Sequence, residues 1–449
     1  MSTKIIINPQ DGFLKTSKRV LKLATPIIAS NLLYTVESTI SILMVSGISP
    51  SAVAAVGFSG SMLWFIYSLM ALSYTGTSVL VAQRVGANKD PSPALLWGLL
   101  ISTLIATPLT IYGTEILRFL MGVLGGSEEV LNLSGEYLKP IFTFILIGFV
   151  VNTIYAAYNG AGDTSTPFKV ATLMSVINLG VSYTLVNGKL GFDKMGVAGA
   201  GWGVAISELA GFLMYLMLYV FKSKPFRIEP EVSLKVLGEI FKIGTPSAIE
   251  RALTSLSFNV FVGMIASFGD KALAAHQIGI RVESASFMIG FGMMIASSTI
   301  SGQNFGAKNL KGMEHGVWVC AHLGATLMTA VSIPLILFSK PISSFFSSDP
   351  EVIRYTIYYL VIVALSQAPM AYASVLSGSL KGMGKTHLPL FVNLNSFWLF
   401  RIIPSMALIE TFQTPILPWI FMSIETALRA IIFYVVFKKV LNSCYGSVR

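Results

Sequence analysis

The sequence predicts an all-α polytopic membrane protein, with twelve transmembrane helices in two homologous six-helix lobes. Three observations predict it. Of 449 residues, 54% are hydrophobic and only 12% charged, and the mean hydropathy is +0.72. That is too little charge to cover the surface of a soluble protein of this size. Apolar runs long enough to cross a hydrocarbon core of roughly 30 Å recur along the whole length. The second half also echoes the first at a fixed interval. Thr25-Pro26 matches Thr245-Pro246, Ala54-Ala55 matches Ala274-Ala275, and Gln83 and Gly86-Ala87 match Gln303 and Gly306-Ala307; 246 − 26, 274 − 54 and 306 − 86 are all 220. The runs are continuous rather than alternating, which excludes a β-barrel.

The elements follow in order. A polar segment, residues 1–19, leads into the first run, Val20–Ser46, which is too long for a signal-peptide core and is read as a retained helix. Ala52–Gln83, Ala94–Met121, Leu131–Asn159, Pro167–Asn187 and Val197–Phe221 complete the first lobe, residues 20–222. A basic linker, 223–235, joins it to the second lobe, 236–440. There the runs are Val236–Phe268, Ala272–Gln303, Met313–Ser339, Val352–Leu380, Leu388–Thr411 and Pro415–Val440, followed by a tail, 441–449. At the fourth-to-fifth helix junction, Gly160-Ala161-Gly162-Asp163-Thr164 and Pro167 match Gly382-Met383-Gly384-Lys385-Thr386 and Pro389, with glycine for a tight turn and proline to open the next helix. This partner explains Gly384-Lys385-Thr386 as a turn. A nucleotide-binding loop would need glycine where Ser379 stands and a preceding strand.

The net charge is +10. The positive-inside rule accounts for it without nucleic acid, because Arg84, Lys89, the linker lysines, Lys308, Lys311, Lys381, Lys385, Lys438 and Lys439 fall on one side. That side is expected to be the cytoplasm of a cell's inner membrane, with both termini on it. Each half holds an even number of helices, so the two lobes share one orientation and are related by an axis along the membrane normal, a transporter pattern. Cys320 and Cys444 have no disulfide or metal spacing. His276 and His315 lie at helix ends and read as interface residues.

Several motifs together resemble the multidrug and toxic compound extrusion (MATE) family. They are Thr-Pro near the start of helices one and seven, Ala274-Ala275-His276-Gln277, Gln303-Asn304-Phe305-Gly306-Ala307, and Lys381-Gly382-Met383-Gly384-Lys385-Thr386. Arg281-Val282-Glu283-Ser284 with Phe287-Met288 looks like a bacterial branch. The resemblance implies a V-shaped pair of lobes, alternating access, and efflux driven by inward H⁺ or Na⁺. The family's acids do not carry over directly. The helix-one Asp position lands on Ser41, with Glu37 one turn earlier. The helix-five Asp falls near Ser182, with Asn178 retained. The helix-seven Glu lands near Thr254, with Glu250 one turn earlier, and the helix-ten acid lands near Met370.

An ionised side chain inside a membrane helix costs about 2.5–3.5 kcal/mol on insertion scales, so each needs a partner, a wet cavity or a proton. Glu250, Glu37, Glu283, Glu208 and Glu425 are the expected coupling residues, with Na⁺ at Glu250 as the only metal considered. The alternative for Glu250 is an ion pair with Arg281 or Arg401 that fixes packing. Arg281 and Glu283 point to different sides of one helix. Glu425 and Arg429 are spaced for an intrahelical pair, and Arg401, with Pro404 one turn on, anchors a bend or faces the cavity. Tyr34, Asn178, Phe287, Met293 and Arg401 are the expected cavity residues, aromatic and thioether groups offering a soft surface to flat cations. The chain is thus expected to be a monomeric secondary exporter of drug-like organic cations in lipid, neither an enzyme nor cofactor-dependent. The competing reading is a flippase for lipid-linked oligosaccharides, whose anionic substrate would want Arg251, Arg281, Arg401 and Arg429.

Overall fold

A computed structural model describes residues 4–221, 226 and 233–446. Most of the expected linker and the end of the tail lie outside the described residues. Among the described residues the regular structure is all helical, without strands. The helices are α1 (Phe13–Ser46), α2 (Pro50–Gly86), α3 (Ser92–Val123), α4 (Glu128–Ala161), α5 (Ser165–Asn187), α6 (Val197–Phe221), α7 (Leu234–Ala266), α8 (Asp270–Gly306), α9 (Leu310–Leu337), α10 (Ser339–Phe346), α11 (Pro350–Leu365), α12 (Gln367–Gly382), α13 (His387–Ser396), α14 (Ile403–Phe412) and α15 (Ile416–Gly446). A π-helical turn, Phe397–Ile402, joins α13 to α14.

Ten of these helices are long and apolar enough to cross a membrane, and α11 with α12, bent by 52°, forms an eleventh candidate span. The bend falls at Ser366-Gln367 inside the run expected as one helix. The remaining expected run, Leu388–Thr411, is helical but is cut by the π turn, which carries the buried Arg401. Helix α1 begins at Phe13, seven residues before the expected Val20. Asp11 explains the early start, because it accepts from Lys15 one turn on (2.7 Å) and pairs with Arg19 (3.2 Å). Pro26 and Pro246 lie well inside α1 and α7 rather than near their starts.

The chain divides into two compact units, and these are not simple runs of sequence. Unit 1 comprises Ala29–Val85 and Lys89–Ala248; unit 2 comprises Lys4–Ile28, Gly86–Asn88 and Ile249–Arg449. The first part of α1 therefore belongs with the second half of the chain, and the first part of α7 with the first half. The two crossings, after Ile28 and after Ala248, are 220 residues apart, the interval of the repeat (248 − 28). The apolar cores follow the same division. Val20, Leu23, Ala24 and Ile27 of α1 are buried with Met293, Ile300, Val317 and Leu376 in unit 2. Val236 and Ile240 of α7 are buried with Leu80, Val151 and Tyr158 in unit 1.

The glycine pairs at the two equivalent junctions serve two purposes. Gly162 (φ +87) and Gly384 (φ +77) adopt the left-handed conformation that ends the helix, as the motif predicts. Gly160 and Gly382 instead permit close helix approach. A methyl group on Gly160 would lie 2.2 Å from the Ser78 carbonyl oxygen of α2, and one on Gly382 would lie 2.2 Å from that of Ser298 on α8.

Candidate coupling sites in the two units

In unit 1, Glu37 projects from α1 toward α5. Ser175 donates its hydroxyl to one carboxylate oxygen (2.6 Å), and the Asn178 amide donates to the other. Ser182, one turn further along α5, donates to the Asn178 carbonyl oxygen (3.0 Å) and fixes which end of that amide faces Glu37. Asn178 and Ser182 are buried. Gly203 on α6 leaves room for them, since a methyl there would stand 1.9 Å from the Ser182 hydroxyl. Glu37 is thus held by neutral donors. Asn178, expected in a drug cavity, is a positioning partner of this carboxylate. The serine at the position of the family's helix-five acid is part of the same chain of bonds.

Glu208 of α6, close enough to Glu37 for their charges to interact, is held differently. Its Oε2 has no hydrogen-bond partner among the described residues. It lines a cavity of about 20 Å³ with Tyr67, Phe144, Gly148, Asn152 and Val204, a volume on the scale of a single water molecule.

Unit 2 holds three carboxylates in three different environments. Glu250 of α7 is buried and is paired with Lys381 at the end of α12 (2.9 Å). Asn393 of α13 donates to its Oε1 (2.6 Å). The partner is therefore Lys381 of the Lys-Gly-Met-Gly-Lys motif, and not Arg281 or Arg401 as the sequence suggested. Arg281 is exposed. Glu283 of α8 accepts from the Tyr359 hydroxyl (2.8 Å) and the Gln367 amide (3.2 Å). Gln367 sits at the α11–α12 bend and takes a second bond from Ser286 (2.5 Å). Arg281 and Glu283 do face different surroundings.

Glu425 of α15 is fully buried between two guanidinium groups. The expected Arg429 lies 3.2 Å from it, and Arg401 of the π turn is its second partner. The ring of Phe397 lies under both cations, at 4.3 Å from Arg401 and 5.2 Å from Arg429. Arg401 is thus part of a buried Arg-Glu-Arg cluster rather than an open surface. Of the other expected cavity residues, Tyr34 and Phe287 are exposed, while Met293 is fully enclosed in the core of unit 2. His276 is likewise buried rather than interfacial, with Phe261, Tyr359 and Trp419 around it at 5.3–6.3 Å between ring centres.

The comparison with known proteins agrees with this architecture. The MatE family model matches residues 26–184 and 246–406, once in each half and over well more than half of the chain. The chain belongs to the MatE family. The "Probable multidrug resistance protein NorM" of Thermotoga maritima is 29% identical over 436 residues, covering 94% of this chain and 92% of that protein. "Multidrug resistance protein PmpM" of Pseudomonas aeruginosa is 28% identical over 419 residues, 89% and 85% of the two chains. Among solved structures, an outward-facing multidrug resistance MATE family transporter superposes with a TM-score of 0.88 at 20% identity, covering 96% of each chain. This MATE-family chain is a multi-pass membrane protein of the multidrug efflux class, with the fold expected from its repeat.

Proposed function

We propose that this MATE-family protein exports drug-like organic cations across the cytoplasmic membrane in exchange for H⁺ or Na⁺, as a monomer with both termini in the cytoplasm. The observation that carries the reading is the Glu250–Lys381–Asn393 cluster, which ties α7, α12 and α13 of unit 2 together through one ionisable group. A proton on Glu250 removes the charge that holds Lys381, so loaded and unloaded forms favour different packings of these helices. A ligand that prefers one packing is thereby coupled to the ion. Glu37, held by a hydroxyl and an amide and not by a cation, is the corresponding group in unit 1. Its carboxylate is the group there that a proton or Na⁺ would meet.

Two other acids are assigned lesser parts. Glu425 is locked between two arginines, so its role is structural, and Glu283 orders the α11–α12 bend. Two of the four basic residues that favoured a flippase, Arg401 and Arg429, are neutralised by Glu425.

The test is reconstitution in proteoliposomes with a pH gradient or a Na⁺ gradient imposed separately, following a cationic dye. Gradient-driven dye movement in the native protein, abolished in Glu250→Gln with the fold retained, is the expected result. Undiminished movement in that variant would remove Glu250 from the mechanism.

A further inference from the structure

Residues 4–8 precede α1 without helical structure, yet they are firmly bonded to unit 2. The Ile5 N–H donates to Gln303 Oε1 (2.6 Å), and Asn304 Nδ2 donates back to the Ile5 carbonyl (3.0 Å). The Ile7 N–H donates to Asn304 Oδ1 (3.0 Å), and Asn309 Nδ2 donates to the Ile7 carbonyl (2.7 Å). Between them, the Ile6 carbonyl turns to Arg19 of α1 (3.2 Å). Alternate residues therefore face alternate sides, as in a strand. Side-chain amides from the α8–α9 junction act as the neighbouring strand. The Ile7 side chain is fully buried. It sits against two glycines of α9 one turn apart. A methyl on Gly312 would lie 2.1 Å from the Ile7 carbonyl oxygen, and one on Gly316 would lie 3.0 Å from the Ile7 side chain. Thr16 of α1 meets His315 of α9 (3.1 Å) and extends the attachment along the helix.

The repeat keeps only part of the amide set, since Gln83 stands in the place of Gln303. Subtracting 220 from Asn304 and Asn309 gives Arg84 and Lys89, and neither side chain can offer the paired donor and acceptor of an asparagine. An apolar anchor recurs as well. Phe226 is buried against Tyr158 in unit 1 (5.6 Å between ring centres), ahead of α7 much as Ile7 is ahead of α1.

We propose that the α8–α9 junction is a binding groove for an extended peptide, that residues 4–8 of this chain are its occupant, and that they act as a releasable strap. Seated, the strap holds the first part of α1, Phe13–Ile28, on unit 2; released, it frees that part of the helix. Release is accessible because Ile7 is the only fully buried side chain of residues 4–8, Lys4 and Asn8 being exposed. Segments with so little buried apolar surface open at the low end of a protein's free-energy scale.

Hydrogen exchange followed by mass spectrometry on the detergent-purified chain tests this without reference to transport. In the native protein, residues 4–8 exchange slowly for a segment outside a helix. Ile7→Asp places a carboxylate in the glycine notch and is expected to speed exchange about tenfold or more over residues 4–8 and 13–28, leaving the rest of unit 2 unchanged. A chain lacking residues 4–8 is expected to bind a labelled synthetic peptide of residues 2–12 saturably and to regain slow exchange over 13–28. The same peptide carrying Ile7→Asp is expected not to bind. Unchanged exchange over 13–28 in the Ile7→Asp chain, or equal binding of both peptides, would overturn the proposal. If the shortened chain does not fold, the full-length variant decides alone.

Discussion

The carboxylates of unit 2 separate by what neutralises them, and their substitutions should separate in the same way. Glu425 compensates two buried cations. Glu425→Gln leaves both guanidinium groups beside a neutral amide, and about 3–5 kcal/mol of stability should be lost, read as a large fall in melting temperature in detergent. Glu283→Gln exchanges one hydrogen-bonding geometry for another and should cost about 1 kcal/mol. For Glu250 the informative experiment is the double substitution. Glu250→Gln strands Lys381, and Lys381→Met strands Glu250, so each single change destabilises. The combined variant should recover about 1–3 kcal/mol relative to additivity, measured as a double-mutant cycle on thermal unfolding. At this scale the acids themselves were legible in the sequence, because a membrane helix makes any ionisable residue conspicuous. Their partners were mostly not. The i,i+4 pair of Glu425 and Arg429 follows from helical spacing alone. Lys381 and Arg401, however, reach their acids across 131 and 24 residues (381 − 250 and 425 − 401). No local rule spans such separations. One signal was available: Lys381 lies in a motif whose partner in the first half, ahead of Gly160, has Asn159 at that place, so the lysine is not needed for the turn.

Helices and their ends show the same division between local and tertiary causes. The turn glycines were predictable from backbone preference, and the close-packing ones were not, although they stand two residues apart. A pair of substitutions distinguishes them. Gly384→Ala places a side chain at a left-handed position and should cost about 1–2 kcal/mol. Gly382→Ala drives a methyl into the Ser298 carbonyl and should cost about 1–3 kcal/mol, with the added effect of separating α12 from α8. Thermal unfolding gives the first comparison, and cross-linking between cysteines placed on α8 and α12 reads the second. Helix α11 is closed at its start by Asp349, which accepts from the Glu351 and Val352 amides (2.8 and 3.2 Å) and meets Lys271 at 3.4 Å. Those amide bonds first, and Lys271 after them, hold its carboxyl below the ordinary 3.8. Because the folded state lowers this group's pKa, its contribution is present above about pH 4 and is lost as pH falls through the lower folded value. The melting-temperature gap between the native chain and Asp349→Ala should accordingly be open at pH 7 and narrow in acid. The bend at Ser366-Gln367 and the π turn at Phe397–Ile402 escaped the sequence because both interrupt runs that remain apolar throughout. Each break serves a buried polar group, Gln367 for Glu283 and Arg401 for Glu425.

At the scale of the molecule, the repeat revealed the architecture, since an interval of 220, or 222 at the fourth-to-fifth helix junction (382 − 160), relates the contacts that are made twice. What it concealed is that the halves in sequence are not the units in space. Which core buries the first part of α1 depends on Met293, Val317 and Leu376, residues that hydropathy cannot connect to Val20 or Ile27.

That interleaving bears on how the protein is made. A ribosome that has released only the first six helices has produced a body that lacks the Val236 and Ile240 needed to complete its interior. It also carries an opening stretch, Val20 to Ile27, with no interior yet to enter. The first body cannot be completed until synthesis has passed Ala248, and the second not until much later, so assembly is reciprocal rather than half by half. Severing the gene within residues 227–232 should therefore yield two fragments that are each degraded when expressed singly. Expressed together, they should accumulate as a complex, with the two polypeptides co-purifying on one tag. A first fragment that persists and purifies as a monodisperse species by itself would contradict this order of events.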